Sequence, residues 1–387
     1  MKTAFEMPLP AGARFILERL GNTGHEGYCV GGCVRDALLG LVPKDYDICT
    51  DASPEEMLHI FADQRVIETG LQHGTLTVLY DGEPYEVTTY RIDGDYTDHR
   101  RPDSVLFVRD LAQDLARRDF TVNAMAYNPH KGLIDLFDGQ KDLQNRLIRC
   151  VGDPRRRFDE DALRILRALR FAAVYGFSIE KETAQAAHAL CHTLFHVAKE
   201  RITVEFSKLV CGDAAQSILQ AHASVLAAVL PCVLHTEGLH GVPAQLPIRL
   251  AHVLQDEDDI KSAFSQLRLD NATAQAVTEL IAHKSAQMPR TDAEWKLLLH
   301  ELGQERTLQL SVWKNWDVTA LRAILMRGDC WNLKALAVTG KDLMAADVPK
   351  GKEIGRMLEM LLQAVIEEKV MNEKAALLEY MKQKIGG

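Results

Sequence analysis

No apolar run in this 387-residue chain approaches the length needed to cross a bilayer. The opening MKTAFEMPLP lacks the basic-then-apolar pattern of a signal peptide. Cysteines are few and scattered, at Cys29, Cys33, Cys49, Cys150, Cys191, Cys211, Cys232 and Cys330, and no two form a C-x-x-C pair. That spacing argues against both a zinc module and a disulfide framework. Reduced thiols and a cytoplasmic location are the expectation. The 14 histidines are dispersed, without metal-ligand spacing. There is no internal repeat and no low-complexity tract. Positive charge is not in excess either. The net charge of −9 taken alone argues mildly against nucleic acid as a partner.

What is present is the composition of a soluble globular protein, 47% hydrophobic and 26% charged. A chain this long exceeds one ordinary core, so two to four domains are expected, at roughly 100–200 residues each. Basic residues cluster locally at Arg100–Arg101, Arg117–Arg118, Arg155–Arg157 and Arg164–Arg170. A nucleic-acid groove needs such a local patch, whatever the total. Residues 1–147 read as α/β. Tyr28-Cys29-Val30 is a buried strand running into Gly31-Gly32, and Val34–Leu39 a helix closed by Gly40. Tyr46–Cys49 is a second strand. Ser53-Pro54-Glu55-Glu56 opens a helix. Asp81-Gly82 joins two Thr-, Val- and Tyr-rich strands in a tight hairpin. Strand signals mostly stop after Arg149, and a helical period runs from Asp159 to the C-terminus, broken near 243–247 and Pro349.

The run GGCVRDALLGLVPKDYD, Gly31 to Asp47, carries the most chemistry. Glycines bring backbone N–H groups close to phosphate oxygens. Alternation on a strand would set Asp45 and Asp47 on one face, where hard carboxylate oxygens suit Mg²⁺. D-x-D is also a common solvated turn, and the glycine pair with Arg35 upstream favours the metal. Glu86, mid-strand in PYEVTTYR, is either an exposed acid or the third member of the cluster. It would then bind metal or orient an attacking hydroxyl.

Arg117-Arg118-Asp119 opens RRDFTVNAM; guanidinium groups suit phosphate, and Asp119 and Asn123 suit ribose hydroxyls. A plain basic helix start is the alternative. Asp161 and Arg164 stand at i and i+3, which on a helix is one face. They would form a weak salt bridge or read a base. One acceptor and one donor match the amine and ring nitrogen of cytosine or adenine, and reject guanine and uracil. Arg167 and Arg170 follow at three-residue steps, each lagging a turn by about 60°. Arg170 therefore faces away from Asp161 and would reach phosphate or brace a neighbouring helix. The charged loop Arg91–Asp103 is a solvated connection or a mobile lever. Lys341, Lys350 and Lys352, at helix starts, would grip an RNA backbone or simply be solvated.

These motifs, GGCVRD with DYD, YEVTTYR, RRDFTVNAM and EDALRILRALR, stand in family order. The chain resembles the class II (bacterial-type) tRNA nucleotidyltransferases, the CCA-adding enzymes related to bacterial poly(A) polymerases, over essentially its whole length. ERITVEFSKLV resembles the element that stabilises the neck, and VTGKDL with KGKEIGRMLEMLL the tail. The resemblance implies an α/β, polymerase-β-like nucleotidyltransferase head (1–147), then an all-α neck (148–207), body (208–320) and tail (321–387), seahorse-like in outline. It implies Mg²⁺-dependent addition of CCA to the tRNA 3′ end from CTP and ATP, with two ions on Asp45 and Asp47 and Glu86 beside them. Gly31 and Gly32, Arg35 and Arg118 would contact the triphosphate, and Asp119 and Asn123 the nucleotide. Asp161, Arg164, Arg167 and Arg170 would line the base site. The tRNA acceptor stem and elbow would lie along body and tail. Relatives that add only CC lack the loop that this chain has at Arg91–Asp103. Cys33 stands where many relatives carry alanine, and His99 where an aromatic residue is frequent. A poly(A) polymerase, a CC-only or A-only enzyme, and an inert RNA-binding protein are the alternatives.

Overall fold

The computed structural model describes residues 5–93, 105–230, 232–255 and 257–385. The chain divides into two compact units: Met1–His240 with Ser262–Leu269, and Gly241–Lys261 with Asp270–Gly387. The expected lever loop falls largely outside the described residues.

The first unit opens with helix α1 (Ala11–Asn22), whose Ile16, Leu17 and Leu20 are buried. Strand β1 (Gly27–Val30), helix α2 (Gly32–Leu38) and strand β2 (Ile48–Thr50) follow. Ser53 accepts from the Glu56 amide and Glu56 reaches back to the Ser53 amide, so helix α3 (Pro54–Ile60) starts with the expected cap. Strands β3 (Arg65–Ile67), β4 (Thr75–Tyr80) and β5 (Glu83–Thr89) come next. Asp81 and Gly82 both take positive φ, 53° and 84°, the signature of the tight hairpin foreseen there. Strands β6 (Arg91–Asp93) and β7 (Val105–Phe107) form a separate antiparallel pair among the described residues. Helix α4 (Leu111–Ala116) leads to β8 (Met125–Asn128) and β9 (Gly132–Asp135).

The main sheet has the order β3-β4-β5-β2-β1-β8-β9. The β2–β5 pair is parallel and the other neighbours are antiparallel. Its centre is dry: Val30, Ile48, Leu76, Val78 and Val87 are all buried.

The chain then turns helical through α5 (Gly139–Gln144), α6 (Pro154–Glu160), α7 (Leu163–Tyr175), α8 (Lys181–Leu190), α9 (Lys199–Val210), α10 (Ala215–Ala221) and α11 (Ala223–Ala227). One short pair interrupts it: β10 (Leu147–Ile148) runs parallel to β11 (Ser178–Ile179). Two residues are too few for a periodic signal, so strand β11 could not be seen in the sequence. Helices α7 and α9 share an apolar seam that includes Leu166, Leu169, Phe206 and Leu209. Gly212 permits a close approach here, since a Cβ would sit 2.6 Å from the Ala173 backbone.

The second unit is helical: α12 (Leu246–Leu254), α13 (Glu257–Gln266), which continues into the first unit, α14 (Asn271–Ala282), α15 (Asp292–Trp313), α16 (Thr319–Arg327), α17 (Gly340–Ala345), α18 (Lys352–Ile366) and α19 (Lys374–Ile385). Helix α15 breaks at Gly303, φ 75°. One core gathers Trp295, Leu299, Leu321 and Ile324. Another gathers Leu343, Leu361, Leu362, Ile366 and Leu377. Among the described residues no helix is long and apolar enough to cross a membrane.

Candidate active site

Register places the acids. Cys29 pairs with Ile48, and Val30 donates to the Asp47 carbonyl at 2.9 Å. Ile48 in turn pairs with Val87. One residue earlier on each strand, Asp47 therefore lies between Val30, the last residue before the glycine turn, and Glu86. Ile48 and Val87 point into the core, so strand alternation sends Asp47 and Glu86 to the other face. Neighbouring strands lie about 4.8 Å apart, which keeps the two carboxylates within mutual influence.

The Asp47 carboxyl is pushed up to about 6. Burial by surrounding protein is the largest cause, although the residue as a whole is exposed. The Asp45 and Glu86 carboxylates push it further, and Arg118 opposes them. Two expectations need correction. The strand starts at Ile48, so Asp45 lies in the irregular approach to it, and strand pleating does not fix its direction. And among the described residues no three His, Cys, Asp or Glu side chains form one metal-ligating group. Asp45 and Glu86 both act on the Asp47 carboxyl through their charge, and the described acids form no preformed three-acid cage.

The glycine turn abuts two guanidiniums. Gly31 takes φ 78°, ψ −123°, and a Cβ on it would stand 3.1 Å from Arg118 Nη1. Arg118 is anchored by Asp114, Nη2 to Oδ2 at 3.1 Å, and its Nε is buried without a partner. Asp114 is fully buried and also receives Arg117 Nε and Nη2, at 3.0 and 2.8 Å. Burial alone would raise its carboxyl, yet the two arginines hold it below the ordinary carboxylate range. Arg117 and Arg118 follow α4 and do not start a helix, so the plain basic helix start does not apply. Arg35, on α2, donates to Asn123 Oδ1 at 2.5 Å and to Asp36.

Asp119 is fully engaged within the protein. Oδ1 accepts from the Phe120 amide and Asn123 Nδ2, and Oδ2 from Arg167 Nε and Nη2. Those bonds fill a carboxylate's acceptor capacity of about four, leaving nothing for a ribose hydroxyl. Burial would raise its carboxyl, but Arg167 and Asn123 draw it down to about 2.

Asp161 and Arg164 do not share a helix face. Asp161 is extended, φ −142°, ψ 103°, in the break between α6 and α7. It accepts from the Leu163 amide at 3.1 Å and from Arg201 Nη2 of α9 at 2.8 Å. Arg164 turns to Glu160 Oε2 at 2.7 Å and to the carbonyls of Arg157 and Arg117 at 3.0 and 3.2 Å. No salt bridge joins Asp161 to Arg164 among these contacts. Arg170 braces α9 through Glu205, Nε to Oε2 at 2.8 Å, the structural half of its expectation. Glu205 also meets Arg167 Nη1 at 3.6 Å.

Asp36, Asp114, Glu160, Arg201 and Glu205 escaped site assignment from sequence. For Asp114 a signal existed: it precedes Arg117 and Arg118 by three and four residues, a helical pairing distance. In the second unit Lys341, Lys350 and Lys352 are exposed at the starts of α17 and α18. Asp342 caps the Thr339 amide at 2.8 Å, so the start of α17 is partly satisfied from within.

The chain is similar to known families and proteins over nearly its whole length. The family model 'Poly A polymerase head domain' matches residues 27–149, 'Probable RNA and SrmB- binding site of polymerase A' residues 176–233, and 'tRNA nucleotidyltransferase domain 2 putative' residues 248–381. The CCA-adding enzyme of Limosilactobacillus fermentum is 38% identical, over 95% of each chain. This chain belongs to the CCA-adding enzyme family. That of Enterococcus faecalis is 35% identical, over 95% of this chain and 94% of its own. The crystal structure of the Bacillus stearothermophilus CCA-adding enzyme in complex with CTP superposes with a TM-score of 0.82 at 30% identity, covering 96% of both chains. The nucleotidyltransferase head and the helical remainder are those of the family.

Proposed function

We propose that this chain adds C, C and A to the 3′ end of tRNA without a template, consuming CTP and ATP and releasing pyrophosphate. The placement of Asp47 carries the reading. It is hydrogen-bonded to the strand that enters the glycine turn, with Glu86 on the adjoining strand and Asp45 and Arg118 in electrostatic range.

The residues fit a divalent cation. The Asp45 and Glu86 carboxylates both push the Asp47 carboxyl up, with Arg118 opposing them, and hard oxygen donors are what Mg²⁺ takes. Asp45 and Asp47 would hold it. When bound, the ion supplies positive charge for the transferring phosphate and acidifies the attacking hydroxyl. Glu86, outside the pair, orients the tRNA 3′-hydroxyl for in-line attack on the α-phosphate. Gly31 and Gly32 let the backbone approach the triphosphate, and Arg35 and Arg118 carry its charge. Asp161 accepts from the exocyclic amine of C or A and Arg164 donates to the ring nitrogen. Arg201 bonds Asp161 and Glu160 bonds Arg164, so each would meet the base as an independent group. Arg167, fixed by Asp119, lines the same site, and Arg170 braces it.

The division of labour follows the chain: catalysis in 1–147, base selection in 148–207, and tRNA contacts in 208–320 and 321–387. Lys341, Lys350 and Lys352 would meet phosphates there. A cytoplasmic location suits the substrate.

The test is extension of a tRNA transcript lacking its terminal CCA, with labelled CTP and ATP. A product three nucleotides longer is expected. A stop after two, addition of A alone, or a long A tract would assign the chain to a CC-only, A-only or poly(A) activity. Binding without extension would leave an inert RNA-binding protein.

A further inference from the structure

Arg35 is held on three sides. Its Nε donates to Asp36 Oδ1 at 2.9 Å and Nη2 meets the same oxygen at 2.8 Å. Its Nη1 donates to Asn123 Oδ1 at 2.5 Å. Its guanidinium lies over two rings of α7, 4.7 Å from the Tyr175 centroid and 5.2 Å from that of Phe171. Those rings stack on each other at 6.1 Å and 19°. The holds are linked, because the Tyr175 hydroxyl donates to Asp36 Oδ1 at 3.0 Å. One carboxylate oxygen thus receives both the guanidinium and the phenol. Arg35 lies directly below the glycine turn: a Cβ on Gly32 would stand 3.6 Å from Nη2. Of its five N–H groups, three are engaged in these contacts.

We propose that Tyr175, the last residue of α7, is a positioning residue for triphosphate binding: its ring and hydroxyl, acting through Asp36, fix the Arg35 guanidinium beneath the glycine turn. An unrestrained arginine must be ordered when ligand binds, at a cost in affinity. Preordering by Tyr175 removes that cost. The arrangement also makes one helix serve two parts of the nucleotide. The start of α7 carries Arg164 for the base, and its end sets Arg35 for the phosphates. The inference rests on the assignment of Arg35 to the triphosphate.

The test is steady-state kinetics on tRNA lacking its terminal CCA, with Tyr175→Phe, Asp36→Asn, Arg35→Lys and the Arg35→Lys/Tyr175→Phe pair. Tyr175→Phe keeps the ring and removes the hydroxyl bond. It is expected to raise KM for CTP and ATP alike, about three- to tenfold, the range of a single lost hydrogen bond. KM for tRNA and the preference for C and A should not move. Asp36→Asn should shift the nucleotide KM in the same direction. In the Arg35→Lys background, Tyr175→Phe should add nothing, because the group it positions has been replaced. An unchanged nucleotide KM in Tyr175→Phe while Arg35→Lys raises it overturns the positioning inference alone. Full additivity in the double variant does the same. An unchanged nucleotide KM in Arg35→Lys overturns the triphosphate assignment, and the inference with it.

Discussion

Arg167 grips Asp119 with two hydrogen bonds to one oxygen, Nε at 2.8 Å and Nη2 at 2.6 Å, and so fastens helix α7 to the segment that follows α4. The same Asp119 holds Asn123, which holds Arg35. A chain of polar contacts thereby runs from the residues assigned to the base to those assigned to the phosphates.

The pH dependence follows from that pair. Asp119 titrates at about 2 in the folded chain, against about 3.9 for an unfolded aspartate. Its stabilisation is complete above pH ~4 and is lost as pH falls towards 2, and the shift corresponds to roughly 2–3 kcal/mol. Urea unfolding followed by circular dichroism should show wild type losing more stability than Asp119→Asn between pH 4.5 and 2.5, by about 1.5 kcal/mol, with the remainder lost at lower pH. Equal losses would mean that the pair contributes nothing to acid stability.

Gly31→Ala should cost stability and nucleotide binding together. The position has φ 78°, and the added methyl would press on Arg118 at 3.1 Å. Strain of this kind costs about 1–3 kcal/mol. Thermal melts and CTP titration check both parts, and wild-type affinity would show that the turn tolerates a side chain.

Asp114 is the buried anchor of Arg117 and Arg118. Removing one partner of a buried ion pair costs about 3–5 kcal/mol. Asp114→Ala should therefore lower the unfolding midpoint sharply and weaken CTP binding. A variant that melts and binds like wild type would show that Arg118 needs no carboxylate behind it.

Base selection should depend on Arg201, which touches no assigned nucleotide contact except through Asp161. Arg201→Ala frees Asp161 and should reduce the preference for CTP and ATP over UTP and GTP. Arg164→Ala should reduce it more, with tRNA affinity retained. Unchanged misincorporation of U and G in both would remove the base-reading assignment.

Local chemistry made much of the head legible in the sequence. The Asp81-Gly82 turn, the Ser53 cap and the strand entering Gly31 each declare themselves within a few residues. The placing of Asp47 beside Glu86 depends on parallel pairing of β2 with β5 across an intervening helix and hairpin, which no local pattern fixes. Asp161 misled for a related reason. Its run has helical composition, but its carboxylate caps the Leu163 amide, and the chain breaks there to present it to Arg201. The partner of Arg170, Glu205, lies 35 residues on and is joined to it only by packing of α7 on α9.

Single-turnover incorporation by Asp47→Ala and Asp45→Ala, with tRNA binding measured in parallel, tests the central claim most directly. The account predicts a loss of at least about a hundredfold in nucleotide addition, on the scale of removing an electrostatic stabiliser from an active site, with tRNA affinity intact. Near wild-type incorporation by either variant would contradict it.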